Sequence, residues 1–180
     1  MPTVQFMSRF DAQRYRPASP AHLLSISDGE DDQALVEASH WRSVEFHHFV
    51  DGDFDEEKMA MFGPKFEHLF RDYFLMPQAD RLRESISQLT ATGLDIVVNC
   101  QAGRSRSAAV SQFICETYGY SLSQETPDAN QTVLRMLRRD SALLVAYRAT
   151  LPPVAAKPDL KPGAVKRLLS LFALWRPTKS

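Results

Sequence analysis

The chain has 180 residues, enough for one domain with its own hydrophobic core. Apolar residues make up 44% and charged residues 24%, a globular composition that excludes a disordered chain. The formal net charge of −1 gives no global attraction for nucleic acid or an acidic polymer, so any affinity for an anion must be local. The two cysteines, Cys100 and Cys115, are too few for a disulfide scaffold and fit a reducing compartment. MPTVQFMSRF at the start lacks the apolar run of a signal peptide, and LLSLFALW near the end is too short to span a bilayer. The chain reads as soluble and cytoplasmic.

In chain order, VQFMSRF reads as a short strand. LLSISD (23–28) reads as a second, stopped by the turn signal Asp28-Gly29. DDQALVEA predicts a short helix opened by acidic residues. SVEFHHF (43–49) is a third strand that runs into VDGDFDEE, a loop crowded with aspartates. His47 and His48 on this strand point to opposite faces, which argues against a metal site made from them. The aspartate loop lacks the regular ligand spacing of a cation loop. Residues 56–76 are helical in flavour, broken at Gly63-Pro64 and rich in Phe and Met, which suits core or a lid. A helix opens at Pro77, with Leu82, Ile86 and Leu89 at i, i+4 and i+7, and stops at Gly93. DIVVN (95–99) has the β-branched, apolar character of a buried central strand. AAVSQFICETYGY continues as a helix, and further helical segments cover 128–149. This alternation predicts an α/β fold, a central mostly parallel sheet flanked by helices. Residues 1–150 form the expected catalytic domain. Residues 151–180 read as a proline-containing linker and a basic amphipathic helix with Leu168, Leu171, Phe172 and Trp175 on one side. That helix would pack on the domain or on a second copy, or contact a membrane or partner.

The chemistry concentrates in IVVNCQAGRSRSAAV. A buried strand ends in Cys100, five residues follow, and Arg106 and Ser107 begin a helix. The amides from Gln101 to Arg106 are placed to curl around one point, and Gly103 permits backbone geometry that a side chain would obstruct. The helix beginning near Ser105 aims its positive end at the same point, making an anion nest at a helix N-terminus. Gln101, Ala102, Gly103, Arg104, Ser105 and Arg106 are therefore the expected phosphate-binding residues, with Arg106 as a planar, bidentate grip. The same field would lower the thiol pKa of Cys100 and aim a thiolate at phosphorus. Ser107 would donate a hydrogen bond to that sulfur and ease its departure. No metal and no organic cofactor is expected.

Cys100-Gln-Ala-Gly-Arg-Ser-Arg106-Ser107 resembles the signature of the protein tyrosine phosphatase superfamily, Cys, five residues, Arg, then Ser or Thr. The wording Ala-Gly-x-Ser-Arg-Ser is similar to the dual-specificity branch and to small bacterial phosphatases like it. Weaker similarity runs from SRF near the start through LLSISD and FHHFVD to TPDANQTVLRML, and covers residues 3 to about 150. In the last segment Asp128 and Ala129 separate Pro127 from Asn130 of a Pro-Asn element. The resemblance implies a Cys-x5-Arg phosphate-binding loop between a central strand and a helix. It implies hydrolysis of a phosphomonoester through a phosphocysteine intermediate, with a phosphorylated protein or a small phosphomonoester as partner and tyrosine or dual specificity. The family usually has His before the cysteine. Asn99 stands there, which implies a less depressed thiol pKa.

The family's general acid is an Asp on a mobile loop upstream of the cysteine. Asp51, Asp53 and Asp55 sit together after the third strand, and Phe49-Val50-Asp51 resembles the strand-end Phe-x-Asp of the bacterial group, which favours Asp51. Their distance from Cys100 implies an insertion over 56–76, which also brings Asp72 into consideration. Arg104 either is solvated or faces the pocket mouth, where it would favour a second phosphate. An alternative is thus a phosphoinositide or inositol phosphate phosphatase, and another is a non-catalytic phosphate-binding pseudophosphatase. A sulfur- or arsenate-handling enzyme with a similar loop fits less well with an aspartate loop upstream. Cys115 reads as a small buried residue, with a protective disulfide to Cys100 as the minor alternative.

Overall fold

The computed structural model describes residues 1–152, so the expected linker and C-terminal helix lie outside the described residues. Four strands, β1 (Val4–Ser8), β2 (Ala21–Ser27), β3 (Ser43–His48) and β4 (Asp95–Cys100), form one sheet in the order β1-β4-β2-β3. The sheet is wholly parallel, where the sequence implied mostly parallel. β4 is buried along its length because β1 and β2 flank it and layers cover both faces, which is why it is a continuous apolar run.

The layers are unequal. Ile96, Val98 and Cys100 of β4 and Leu24 and Ile26 of β2 face the large core. Helices α4 (Met76–Thr90), α5 (Arg106–Tyr118), α6 (Gln131–Leu137) and α7 (Ser141–Thr150) cover that side. The opposite face carries Val97, Leu23 and Ala21 under Trp41, which stacks on Tyr15 at 6.0 Å. The 56–76 segment forms α2 (Glu56–Phe62) and α3 (Phe66–Leu69), and Met59, Phe66, Phe74 and Leu75 are buried. It is core on its inner side, and truncation of Phe66 to Ala would cost about 3–5 kcal/mol.

Two local expectations fail. The opening strand ends at Ser8, and Arg9 starts a helix, α1 (Arg9–Arg14). The cause is a cap, since the Ser8 hydroxyl accepts from the Asp11 amide at 3.1 Å and donates to the Asp11 carboxylate at 2.6 Å. DDQALVEA does not become an α-helix. It gives one tight turn at Glu30–Asp32 and then irregular backbone. Arg9 donates to both the Asp32 carbonyl (2.9 Å) and carboxylate (3.2 Å), which takes a carbonyl that a helix would have used. No helix among the described residues is long and apolar enough to cross a membrane.

His47 and His48 point to opposite sides of β3. The first meets Ser85 of α4 at 3.1 Å, and the second meets Ser27 at 2.9 Å. Burial, followed by the charges of Arg81 and His48, lowers the pKa of His47 from 6.5 to about 4. The unfolded chain binds that proton near pH ~6.5, whereas the folded chain does not until much lower. The stability contributed by the neutral ring is therefore complete above pH 6.5 and is lost as pH falls towards about 4. His47→Gln should flatten the fall in urea midpoint between those two pH values. An unchanged slope in the variant would show that His47 does not set the acid sensitivity.

Candidate active site

Ser8, Ser27, His48 and Cys100 all close parallel strands, so the loops that follow them gather at one edge of the sheet. The loop after Cys100 turns back on itself at Gly103, whose φ is 69°. A Cβ there would lie 2.2 Å from the Ser8 nitrogen and 2.3 Å from the Met7 carbonyl carbon. Glycine is thus required both by conformation and by space. The Arg9 amide donates to the Gln101 carbonyl at 3.4 Å, and the Asn130 amide donates to the Ser105 carbonyl at 3.3 Å, fastening the loop at both ends.

Inside this turn, the Cys100 sulfur is 3.1 Å from the Ser107 hydroxyl and accepts from the amides of Ser107, Gly103 and Arg104. Burial pushes the thiol pKa up. The Ser107 hydroxyl and those three amides together outweigh burial and hold the pKa below the ordinary cysteine value. α5 begins at Arg106, so its positive end adds to the same field.

Arg106 is buried, with its side chain only 3% exposed. Its Nη1 donates to the Asp28 carboxylate at 2.6 Å and to the Phe49 carbonyl at 2.5 Å. Its Nε has no hydrogen-bond partner among the described residues and lies 4.0 Å from Oδ2 of Asp51. A buried donor without an acceptor is costly, and a phosphate oxygen beside it would satisfy it.

The four candidate acids separate clearly. Asp51 reaches the loop, where its Oδ1 accepts from the Ser105 hydroxyl (2.8 Å) and from Nδ2 of Asn130 (2.9 Å), leaving Oδ2 towards Arg106. Asp53 accepts from Thr132 at 3.1 Å. Asp55 is the N-cap of α2, accepting from the Lys58 amide at 2.8 Å. The Asp72 carboxylate is exposed and its cationic neighbour is Arg71, at 3.8 Å.

Gln101, Ala102 and Arg104 are exposed at the rim, and Arg104 makes no ion pair among the described residues. Asn99 is buried on the face opposite Cys100, beside Ser25 in register, and neither of its side-chain polar atoms is hydrogen-bonded among the described residues. Cys100 and Cys115 are both free, and Cys115 is half-buried on α5, nine residues beyond Arg106 and roughly 13 Å further along the helix axis. Among the described residues no three His, Cys, Asp or Glu side chains gather as a metal-binding group.

Two residues of the site were not assigned to it from the sequence. Asp28 reads there only as a turn residue, yet it closes the ion pair with Arg106. An acid at the carboxyl end of a parallel strand was the available signal. Asn130 caps α6 through its Oδ1 and holds Asp51 through its Nδ2.

The loop geometry carries a direct test. In a Cys115→Ser background, alkylation of Cys100 by iodoacetamide should titrate with a midpoint below the ~8.5 of a free thiol. Ser107→Ala should move that midpoint upward by removing one sulfur hydrogen bond. A wild-type midpoint at or above the free-thiol value would refute the stabilised thiolate.

No protein-family model and no curated protein matches the chain. Among solved structures, it aligns with human tyrosine phosphatase-like serine/threonine/tyrosine-interacting protein at 16% identity, covering 86% of this chain and 77% of that one, with a TM-score of 0.33. It also aligns with Tk-PTP in the active form at 16% identity, covering 86% and 95%, with a TM-score of 0.36.

Proposed function

We propose that the chain is a phosphomonoester hydrolase of the protein tyrosine phosphatase superfamily, working through a phosphocysteine intermediate. The observation that carries this reading is the convergence of the Gly103, Arg104 and Ser107 amides on the Cys100 sulfur, next to a buried Arg106 with one unpartnered donor. In the first step the Cys100 thiolate attacks phosphorus. The S–P bond forms while the P–O bond to the leaving group breaks. The loop amides and Arg106 hold the non-bridging oxygens, which carry the charge. Asp51, protonated on Oδ2, gives its proton to the departing oxygen. In the second step the same carboxylate takes a proton from water, hydroxide oxygen bonds to phosphorus, and the S–P bond breaks. The Ser107 hydroxyl stabilises the sulfur as it leaves.

The preferred substrate is a phosphorylated protein, on tyrosine or with dual specificity. The exposed rim supports that choice over a phosphoinositide. Glu30, Asp31 and Asp32 follow β2, and Asp53, Asp55 and Glu57 follow β3, so several carboxylates share the edge of the sheet with Arg104. A polyanionic headgroup would meet repulsion there. A purely binding module needs the nest and Arg106 but not a polarised thiol, which favours catalysis.

The decisive assay is hydrolysis of para-nitrophenyl phosphate with EDTA present. Wild type should turn over, Cys100→Ser should not, and Asp51→Asn should lose about 10²–10⁴-fold in kcat. Arg106→Lys should lose activity as well, because a lysine cannot supply the planar grip. Absence of turnover by folded, reduced wild type between pH 5 and 8 would reject the enzymatic reading.

A further inference from the structure

The reading of Asp51 as the acid raises the question of what holds it over the nest. Asp51 is five residues before the first residue of α2, on an irregular stretch that belongs to no strand or helix. Two partners hold the carboxylate itself, Ser105 and Asn130. Its two chain neighbours are held from elsewhere, by consecutive residues of the Phe-rich insertion. The Val50 amide donates to the Asp72 carbonyl at 2.8 Å. Gly52 lies against the Tyr73 ring so closely that a Cβ on it would be 2.3 Å from the nearest ring carbon.

The Tyr73 ring is itself fixed. It meets Phe70 edge-on at 5.0 Å and Phe54 at 6.4 Å. The Lys58 ammonium lies 5.4 Å from its centroid and 4.7 Å from that of Phe70. The same ammonium donates to the Asp53 carbonyl at 3.0 Å, so Lys58 ties the far side of the acid loop to the same aromatic group. One residue before the strap-held stretch, Phe49 packs on Phe74 at 4.3 Å. The atoms of Tyr73 that lie nearest Gly52 are all ring carbons, so the flat ring is what the contact uses.

We propose that Tyr73 is a positioning residue for Asp51, and that residues 70–73 strap the acid in place over the phosphate loop before substrate arrives. This rests on Asp51 being the general acid. The acid is then preset, in contrast to one delivered by a loop that swings in. Its position depends on the fit of glycine under an aromatic ring, and the insertion over 56–76 supplies that ring.

The test is a leaving-group series of aryl phosphates, from dinitrophenyl to phenyl phosphate, run on wild type, Tyr73→Phe, Tyr73→Ala and Asp51→Asn. Proton donation matters most for the basic phenoxide leaving group. Tyr73→Ala should lose about 10–100-fold in kcat on phenyl phosphate, with KM little changed. It should stay near wild type on dinitrophenyl phosphate, and the basic limb of its pH profile should weaken. Tyr73→Phe should follow wild type throughout. Amide exchange at Val50 should be faster in Tyr73→Ala and unchanged in Tyr73→Phe. Wild-type leaving-group dependence in Tyr73→Ala, a uniform loss across the series, or unchanged Val50 exchange would each overturn the strap. Wild-type dependence in Asp51→Asn would instead overturn the acid assignment, and the positioning role with it. Which variant shows the null result separates the two failures.

Discussion

The contact of Gly103 with the backbone of Met7 and Ser8 is the constraint on which the rest of the site depends. β1 and β4 run parallel with Ser8 opposite Cys100, so the chain leaving Cys100 meets the start of α1 at once. A loop pressed against another backbone has no room to bulge outward on that side. It turns with a positive φ at Gly103, and the amides that follow face inward on the sulfur. The Ser8 cap matters here because it sets where α1 begins and therefore the surface that Gly103 must match. An alanine at 103 would combine a disfavoured φ with a backbone overlap that no side-chain rotation relieves.

The electrostatics follow from that geometry. The Cys100 sulfur faces a hydroxyl and three amides, groups held in place by the fold, and these keep its pKa below the ordinary cysteine value. The Arg106 charge is largely answered elsewhere, by Asp28 and the Phe49 carbonyl on one guanidinium nitrogen. This arrangement keeps a buried cation tolerable and fixes the guanidinium plane. Asn99, the residue before Cys100, fits the same division. Its side chain lies in the other layer beside Ser25, so any influence on Cys100 passes through the backbone between them.

Much of this was legible in the sequence, and for physical reasons. DIVVN has to be a central strand because nothing but burial on both faces suits three consecutive apolar, β-branched residues, and Cys-x5-Arg with an internal glycine encodes the turn locally. The helix over Leu82, Ile86 and Leu89 follows from periodicity, and all three are buried. What was not legible depends on long-range partners. The α1 start needs the Ser8–Asp11 cap, and the lost helix at 31–38 depends on Arg9 reaching Asp32 from a different element. Asp28 could not be told from an ordinary turn residue without knowing that β2 lies beside β4. The four aspartates look alike in one dimension. They differ in three because capping, a threonine and solvent account for Asp55, Asp53 and Asp72, and leave Asp51 at the loop.

The sheet order also explains why the segment that carries Asp51 needs support from residues 56–76. β3, which leads to Asp51, is separated from β4 by β2, so at ordinary strand spacing the two lie roughly 10 Å apart. Asp28, at the end of the intervening strand, occupies the direct line and is committed to Arg106. The chain after β3 must therefore pass above β2 to reach Ser105 and Asn130. An irregular segment that spans such a gap has few backbone bonds of its own, since Gly52 to Val50 is its sole internal backbone hydrogen bond among residues 50–54. Support has to come from beneath and outside. The 56–76 segment provides it by burying Phe66 and Phe74 in the core while turning Tyr73 towards Gly52. The residues that lengthen the distance from Asp51 to Cys100 in sequence are thus the ones that fix the Asp51 segment in space.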